Sequence, residues 1–152
     1  GLVCSATSPN ENLETICFLR DPLQLIVHQE NPIAALTSAN IEDLRNESFI
    51  MYRNDFVLYD QIFEQCKKAD FYPTIACETT QKDLFIEMVQ AKLGIALLPQ
   101  KIADKIQYDS IRVIDFSNNP IYLELGITWK KNKYLSFAVR EFIEVAKQFQ
   151  LD

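Results

Sequence analysis

Residues 93–99 read Leu-Gly-Ile-Ala-Leu-Leu-Pro, an apolar run that contains one glycine and stops at a proline. Such a run predicts a short, fully apolar strand. Upstream of it, strand patterns at Phe49–Tyr52 and Thr74–Cys77 alternate with helix patterns at Phe56–Ala69 and from Thr80 onward. Strands and helices that alternate over so short a stretch form parallel pairs with right-handed crossovers. This block therefore predicts an α/β fold whose helices flank a parallel or mixed sheet.

Turn and capping residues mark the ends of the two helices. Asp55 is the predicted N-cap of the first helix. Residues 80–83, Thr-Gln-Lys-Asp, have the capping-box form, so Thr80 is the predicted N-cap of the second helix. Gly94 is expected to end that helix in the left-handed conformation, which costs glycine little. The predicted core stripe of the second helix consists of Leu84, Met88 and Ala91, with Phe85 and Val89 beside it.

Four more strand patterns and a terminal helix flank this block. The first two strand patterns, Ile16–Leu19 and Leu23–His28, are separated by turn-like residues at positions 20–22. The chain opens at Gly1 inside a strand-like run, and we expect it to be a piece of a longer protein. The remaining elements are the strands Ile111–Phe116 and Ile121–Trp129 and the helix Leu135–Gln150.

Length and composition are those of an ordinary globular chain. Its 152 residues fit one domain, or one domain with a piece of another, and 48% of them are apolar. Fifteen basic and 21 acidic side chains give a net charge of −6. Affinity for a phosphate backbone comes chiefly from clustered Lys and Arg, so this chain is not expected to contact DNA itself. No run approaches the ~20 apolar residues of a membrane helix, and no signal segment is visible.

The cysteines and the single histidine limit the available chemistry. Cys4, Cys17, Cys66 and Cys77 are widely spaced, which favours reduced thiols in a cytosolic protein. A metal site or a nucleophile–base pair would have to use His28, which lies in an apolar strand pattern and is expected to be structural. We therefore predict no catalytic residues, no metal and no cofactor. An enzyme, a solute receptor and a pure oligomerisation module remain the alternatives at this point.

The informative polar residues follow two predicted strands. Arg53 comes directly after the strand Phe49–Tyr52, and Thr79, Thr80 and Gln81 follow the strand Thr74–Cys77. Ligands of open parallel sheets bind beyond the carboxyl ends of the strands, where helix N-termini point. A guanidinium, two hydroxyls and a helix N-terminus at one edge suit a small carboxylate. The alternative is that Thr80 is only a helix cap and Arg53 a solvated charge.

Several motifs in this order are characteristic of one family. They are Phe49-Ile50-Met51-Tyr52-Arg53, Glu78-Thr79-Thr80-Gln81, the run at 93–99, the segment Pro22–Ala34 with its Asn31-Pro32-Ile33-Ala34 ending, and Gly126-Ile127-Thr128-Trp129. Together they resemble the effector-binding domain of LysR-type transcriptional regulators over nearly the whole chain. The details are similar to the Cid-type branch, whose members regulate holin-like and pyruvate-overflow operons.

The resemblance implies a fold like that of periplasmic binding proteins, with two α/β subdomains joined by crossover strands. Residues 1–32 would be a remnant of the first subdomain and the first crossover strand. Residues 33–124 would be the second subdomain, and residues 125–152 the return crossover strand and the terminal helix of the first. DNA contacts would belong to an N-terminal helix-turn-helix outside this chain, in a cytoplasmic regulator.

The resemblance also implies positions for the effector contacts. Arg53 would be the charge partner of a small organic acid, and Thr79, Thr80 and Gln81 would donate to its carboxylate. Thr128 would add a hydrogen bond from the return crossover. Binding would close the cleft between subdomains and shift the population of conformations presented to DNA.

The terminal helix carries an apolar stripe that needs a partner. In the family fold this stripe would pack on the first subdomain, most of which this chain lacks, so we expect the helix to dock on a second copy or to fold back on its own subdomain. The stripe consists of Leu135, Val139, Phe142, Ala146 and Phe149.

Overall fold

The computed structural model describes residues 13–130 and 136–148, which form parts of two compact units. The central unit is Pro22–Ile121, and the terminal unit combines Gly1–Asp21 with Tyr122–Asp152. The strands are β1 (Leu13–His28), β2 (Ser48–Tyr52), β3 (Thr74–Thr79), β4 (Ala96–Pro99), β5 (Ile111–Ile114) and β6 (Tyr122–Lys130). The helices are α1 (Val57–Lys68), α2 (Lys82–Gln90), α3 (Gln100–Ala103) and α4 (Phe137–Gln148), with 3-10 turns at Pro32–Ala35 and Ile41–Leu44.

The predicted α/β fold with parallel strand pairing is confirmed in the central unit. Strands β2 and β3 are parallel, with Tyr52 opposite Thr79 at their carboxyl ends. Strand β4 approaches β2 through a parallel bridge between Phe49 and Ile95. The Ile95 N–H donates to the Ser48 carbonyl at 2.8 Å there. The helices α1 and α2 are the connections that parallel neighbours require.

Strand β1 is one continuous strand, so the prediction of two strands separated by a turn at 20–22 is wrong. Pro22 removes only one N–H donor, and the next residue, Leu23, donates to the Ile121 carbonyl at 2.8 Å. Within the central unit β1 lies antiparallel between β4 and β5, and Leu25 pairs with both Leu97 and Ile114. A central strand is covered on both faces, which explains why consecutive residues of β1 are buried.

The inward face of α2 differs from the predicted stripe. Phe85 and Val89 are buried, whereas Leu84 is 41% exposed. The helix is therefore rotated by about one residue, or about 100°, from the predicted phase. This phase buries the larger aromatic side chain, because the Phe85 ring packs against Tyr52 with ring centroids 4.7 Å apart.

The helix caps also differ from the sequence prediction. Phe56, not Asp55, is the N-cap residue of α1, and Gln81, not Thr80, is that of α2. Neither cap makes a side-chain hydrogen bond to its helix. Asp55 instead pairs with Arg53, and the Thr79 hydroxyl accepts a hydrogen bond from the Gln81 N–H at 3.1 Å.

Gly94 has a steric function in place of the predicted left-handed cap. Lys92, with φ of 65°, is the left-handed residue after α2, and no described glycine has positive φ. A Cβ at position 94 would lie 2.5 Å from the Ser48 carbonyl oxygen. Glycine is thus required here because β2 and the start of β4 approach each other closely.

The terminal unit contributes β6, which pairs with β1, and the helix α4. Ile143 of α4 is buried, while Val139 is 45% and Phe142 60% exposed. Leu135 and Phe149 of the predicted stripe lie outside the described residues, as does the side chain of Ala146. Within residues 13–130 and 136–148, no helix is long and apolar enough to cross a membrane.

Candidate functional site

The parallel register of β2 and β3 brings four of the predicted site residues to one edge of the central unit. Tyr52 lies opposite Thr79, so Arg53 follows β2 where Thr79, Thr80 and Gln81 lead from β3 into α2. Thr80 and Gln81 are exposed. The first N–H groups of α2 have no partner within the helix and carry its positive dipole end. We call Arg53 together with residues 79–81 the carboxyl-edge site.

Arg53 makes a two-point ion pair within its own loop. Its Nε donates to Asp55 Oδ1 at 2.8 Å, and its Nη2 donates to Asp55 Oδ2 at 3.0 Å. Both side chains are more than half exposed, at 62% and 61%. The hydrogen bond from Arg53 lowers the pKa of the Asp55 carboxyl, and the same bond raises the pKa of Arg53. The guanidinium fork is therefore accessible and already holds a carboxylate.

An aromatic cluster that the sequence analysis missed lies beside the carboxyl-edge site. Tyr52 is buried, donates its hydroxyl to the Leu97 carbonyl at 2.7 Å and stacks on Phe56 with centroids 5.3 Å apart. Burial raises the pKa of Tyr52. Phe56 is 37% exposed, next to the loop that carries Arg53. The sequence signal that could have drawn attention to it is the pair of aromatic residues, Tyr52 and Phe56, on either side of Arg53 and Asp55.

Thr128, the fifth predicted contact, lies on β6 in the terminal unit. It is exposed, and its hydroxyl is 2.7 Å from the hydroxyl of Thr15 on β1. The hydroxyl of Thr128 is thus engaged within its own unit. The structure brings together the central-unit residues of the predicted site, and Thr128 remains a separate prediction.

A depression of 260 Å³ lies at the opposite end of the central unit's parallel strands. Its lining includes His28, Glu30, Glu47 and Lys92, near the amino ends of β2 and β4. His28 Nδ1 accepts a hydrogen bond from the Glu30 N–H at 3.0 Å. The Glu30 carboxylate pairs with Lys92, whose hydrogen bond lowers the pKa of Glu30. Lys92 and Glu30 thus pair with each other, the Glu47 carboxylate accepts a hydrogen bond from the Asn31 amide at 2.7 Å, and His28 acts as a hydrogen-bond acceptor at the end of β1.

The comparisons with known proteins agree with the geometry. Residues 1–150 match the family model of the LysR substrate binding domain. The chain belongs to this family, as the sequence motifs predicted. It is similar to the HTH-type transcriptional regulator YwbI of Bacillus subtilis, with 38% identity over 144 residues. That alignment covers 94% of this chain and 48% of YwbI, so the chain spans about half the length of this relative.

Two solved structures show the same fold. One is the effector binding domain of QuiR in complex with shikimate, at a TM-score of 0.80 and 21% identity. The other is the regulatory domain of Synechocystis CcmR in complex with 2-PG, at a TM-score of 0.80 and 19% identity. Each match covers 97% of this chain and 72% of the solved chain. The predicted architecture, like that of periplasmic binding proteins, is thereby confirmed.

Proposed function

We propose that this chain senses a small organic acid for a LysR-type transcriptional regulator, and that the carboxyl-edge site binds the acid. The observation that supports this most directly is the parallel register in which Tyr52, the residue before Arg53, lies opposite Thr79. A planar guanidinium can donate two parallel hydrogen bonds to a carboxylate. The N–H groups at the start of α2 add further donors and a favourable dipole.

The ligands in the related structures are consistent with an acid effector. QuiR was solved with shikimate and CcmR with 2-PG. In this chain Phe56 offers an exposed aromatic face next to the Arg53 loop, and it stacks on the buried Tyr52. An effector with an apolar body attached to its carboxylate would use both the guanidinium and this ring.

The chain is proposed to act by binding alone, without catalysis. Relatives such as YwbI are transcriptional regulators. Burial raises the pKa of the Cys66 thiol to about 12, so this thiol stays protonated and weakly nucleophilic near neutral pH. The proposed mechanism is a population shift in which effector binding favours one conformation of the regulator. The DNA-binding head would be a helix-turn-helix elsewhere in the full-length protein, which would work in the cytoplasm.

Two further proposals concern assembly and subgroup. The exposed apolar residues Val139 and Phe142 on α4 favour self-association, because soluble monomers seldom leave such faces in water. Thr128 is proposed as an additional effector contact from β6. Membership of the Cid-type branch stays a prediction from the motifs.

Calorimetry on the full-length regulator tests the effector proposal, with acetate, pyruvate and shikimate as probes. Arg53→Ala should weaken the affinity for the tightest-binding probe by about 10- to 150-fold. This is the equivalent of ~1.5–3 kcal/mol for hydrogen bonds to a charged group. The matched control is Arg112→Ala on β5, whose guanidinium donates to the Asp109 carbonyl at 2.7 Å. Equal affinities in wild type and Arg53→Ala would remove Arg53 from the site.

A further inference from the structure

The Arg53 fork holds a carboxylate that belongs to the chain itself. The two hydrogen bonds from Arg53 to Asp55, at 2.8 and 3.0 Å, have the paired geometry that an external carboxylate would adopt. We propose that Asp55 is a built-in competitor for the effector's carboxylate, and that the effector binds by displacing Asp55 from Arg53. This inference rests on the proposed binding of an organic acid at the carboxyl-edge site.

The local backbone explains why Asp55 is available as a competitor. The loop is closed by a hydrogen bond from the Phe56 N–H to the Arg53 carbonyl at 2.9 Å, and this turn holds the Asp55 carboxylate within reach of the Arg53 guanidinium. An aspartate next to a helix start commonly caps the helix. Here Phe56 occupies the N-cap position, and the Asp55 carboxylate bonds the guanidinium of Arg53. The side chain of Asp55 can therefore leave Arg53 without uncapping α1.

Exposure makes the exchange feasible. Both members of the pair are more than half solvent-accessible, and exposed ion pairs are weak and screened by salt. A released Asp55 regains full hydration, while the effector gains the paired bonds that Asp55 gave up. The effector's net gain in binding free energy is then smaller than for an unpaired guanidinium, so Asp55 raises the effector concentration at which the sensor responds. Its negative charge also opposes a second anion nearby.

The proposal predicts opposite effects for the two members of the pair. Asp55→Asn removes the competitor and its charge but keeps the size of the side chain, so carboxylates should bind more tightly. Arg53→Ala removes the shared partner, so they should bind more weakly. Because an exposed pair contributes little, the gain in Asp55→Asn is expected to be about two- to fivefold. Asp60→Asn, in the exposed first turn of α1, is the matched control and should match wild type.

The test is an NMR titration of the chain with sodium acetate, against sodium chloride at the same ionic strength. Acetate should shift the Arg53 Nε–H signal and, in step with it, move the Asp55 carboxyl carbon towards a free carboxylate. The acetate concentration at half-saturation should be about two- to fivefold lower in Asp55→Asn than in wild type and in Asp60→Asn.

Three results would overturn the inference. Saturation of Arg53 with no change at the Asp55 carbon would show that the two carboxylates bind side by side. Equal half-saturation in wild type and Asp55→Asn would show that Asp55 does not compete. In both cases an Arg53 signal that still saturates with acetate would leave the effector proposal standing. An Arg53 signal that acetate does not shift in wild type, Asp55→Asn or Asp60→Asn would refute both proposals.

Discussion

Gly94→Ala should strongly destabilise the central unit, because the glycine lies where two strands meet. The added Cβ would lie 2.5 Å from the Ser48 oxygen, and ordinary contact begins at 3.4 Å, so the backbones must separate by 3.4 − 2.5 = 0.9 Å. The adjacent bond from the Ile95 N–H to Ser48, now 2.8 Å, would lengthen towards 3.7 Å if it took the whole shift. Overpacking costs about 1–3 kcal/mol and a lost backbone bond ~0.5–1.5 kcal/mol, for a total of about 1.5–4.5 kcal/mol.

Urea unfolding followed by circular dichroism measures this cost. With a mid-range slope of roughly 2 kcal/mol per molar urea, the midpoint of Gly94→Ala should fall by about 1–2 M. Lys92→Gly is the control in the same turn. It removes the steric cost of a left-handed backbone at a residue with a side chain, and it also removes an exposed ion pair with Glu30, so the two small effects oppose each other. Its stability should stay within about 1 kcal/mol of wild type. A Gly94→Ala midpoint equal to that of wild type would refute the steric argument.

Two further predictions address the aromatic cluster and the terminal helix. The raised pKa of Tyr52 means that its stabilising effect is complete below the ordinary tyrosine pKa and is lost as pH rises above about 10. In urea unfolding, Tyr52→Phe should therefore lose less stability between pH 9 and 11 than wild type does. The exposed Tyr72→Phe is the control, and parallel pH profiles of Tyr52→Phe and wild type would contradict this. Sedimentation should show self-association that Phe142→Glu abolishes and Arg140→Glu retains; a monomeric wild type would remove the proposed contact.

Much of the fold was predictable because its signals are local. The alternation of apolar strands and amphipathic helices between Phe49 and Pro99 follows from the side-chain periodicities of the two structures. The same periodicity predicted that Arg53 and residues 79–81 would share an edge, and the register of Tyr52 opposite Thr79 brings them there. The family was also readable from short motifs, since the matching residues occur in the same order along the chain.

The errors at the helix ends have a common physical cause. Capping preferences contribute only about 0.5–2 kcal/mol, and a competing side-chain contact can override them. Asp55 was predicted to cap α1 but bonds Arg53, a pairing that depends on the turn between them. The face of α2 was missed by one position because both phases bury apolar residues, and the contact between Phe85 and Tyr52 decides between them.

The order of the elements, the class of fold and the residues that emerge at the carboxyl edge all follow from the amino-acid sequence. These depend on periodicity and on chain connectivity, which are properties of neighbouring residues. Three features depend instead on packing in three dimensions: β1 continues through Pro22, Gly94 makes room for the Ser48 carbonyl, and Asp55 pairs with Arg53. Each of these three features depends on a distance between groups that are not neighbours in a periodic pattern. The packing of strands and loops sets that distance, so the side-chain periodicity does not encode it.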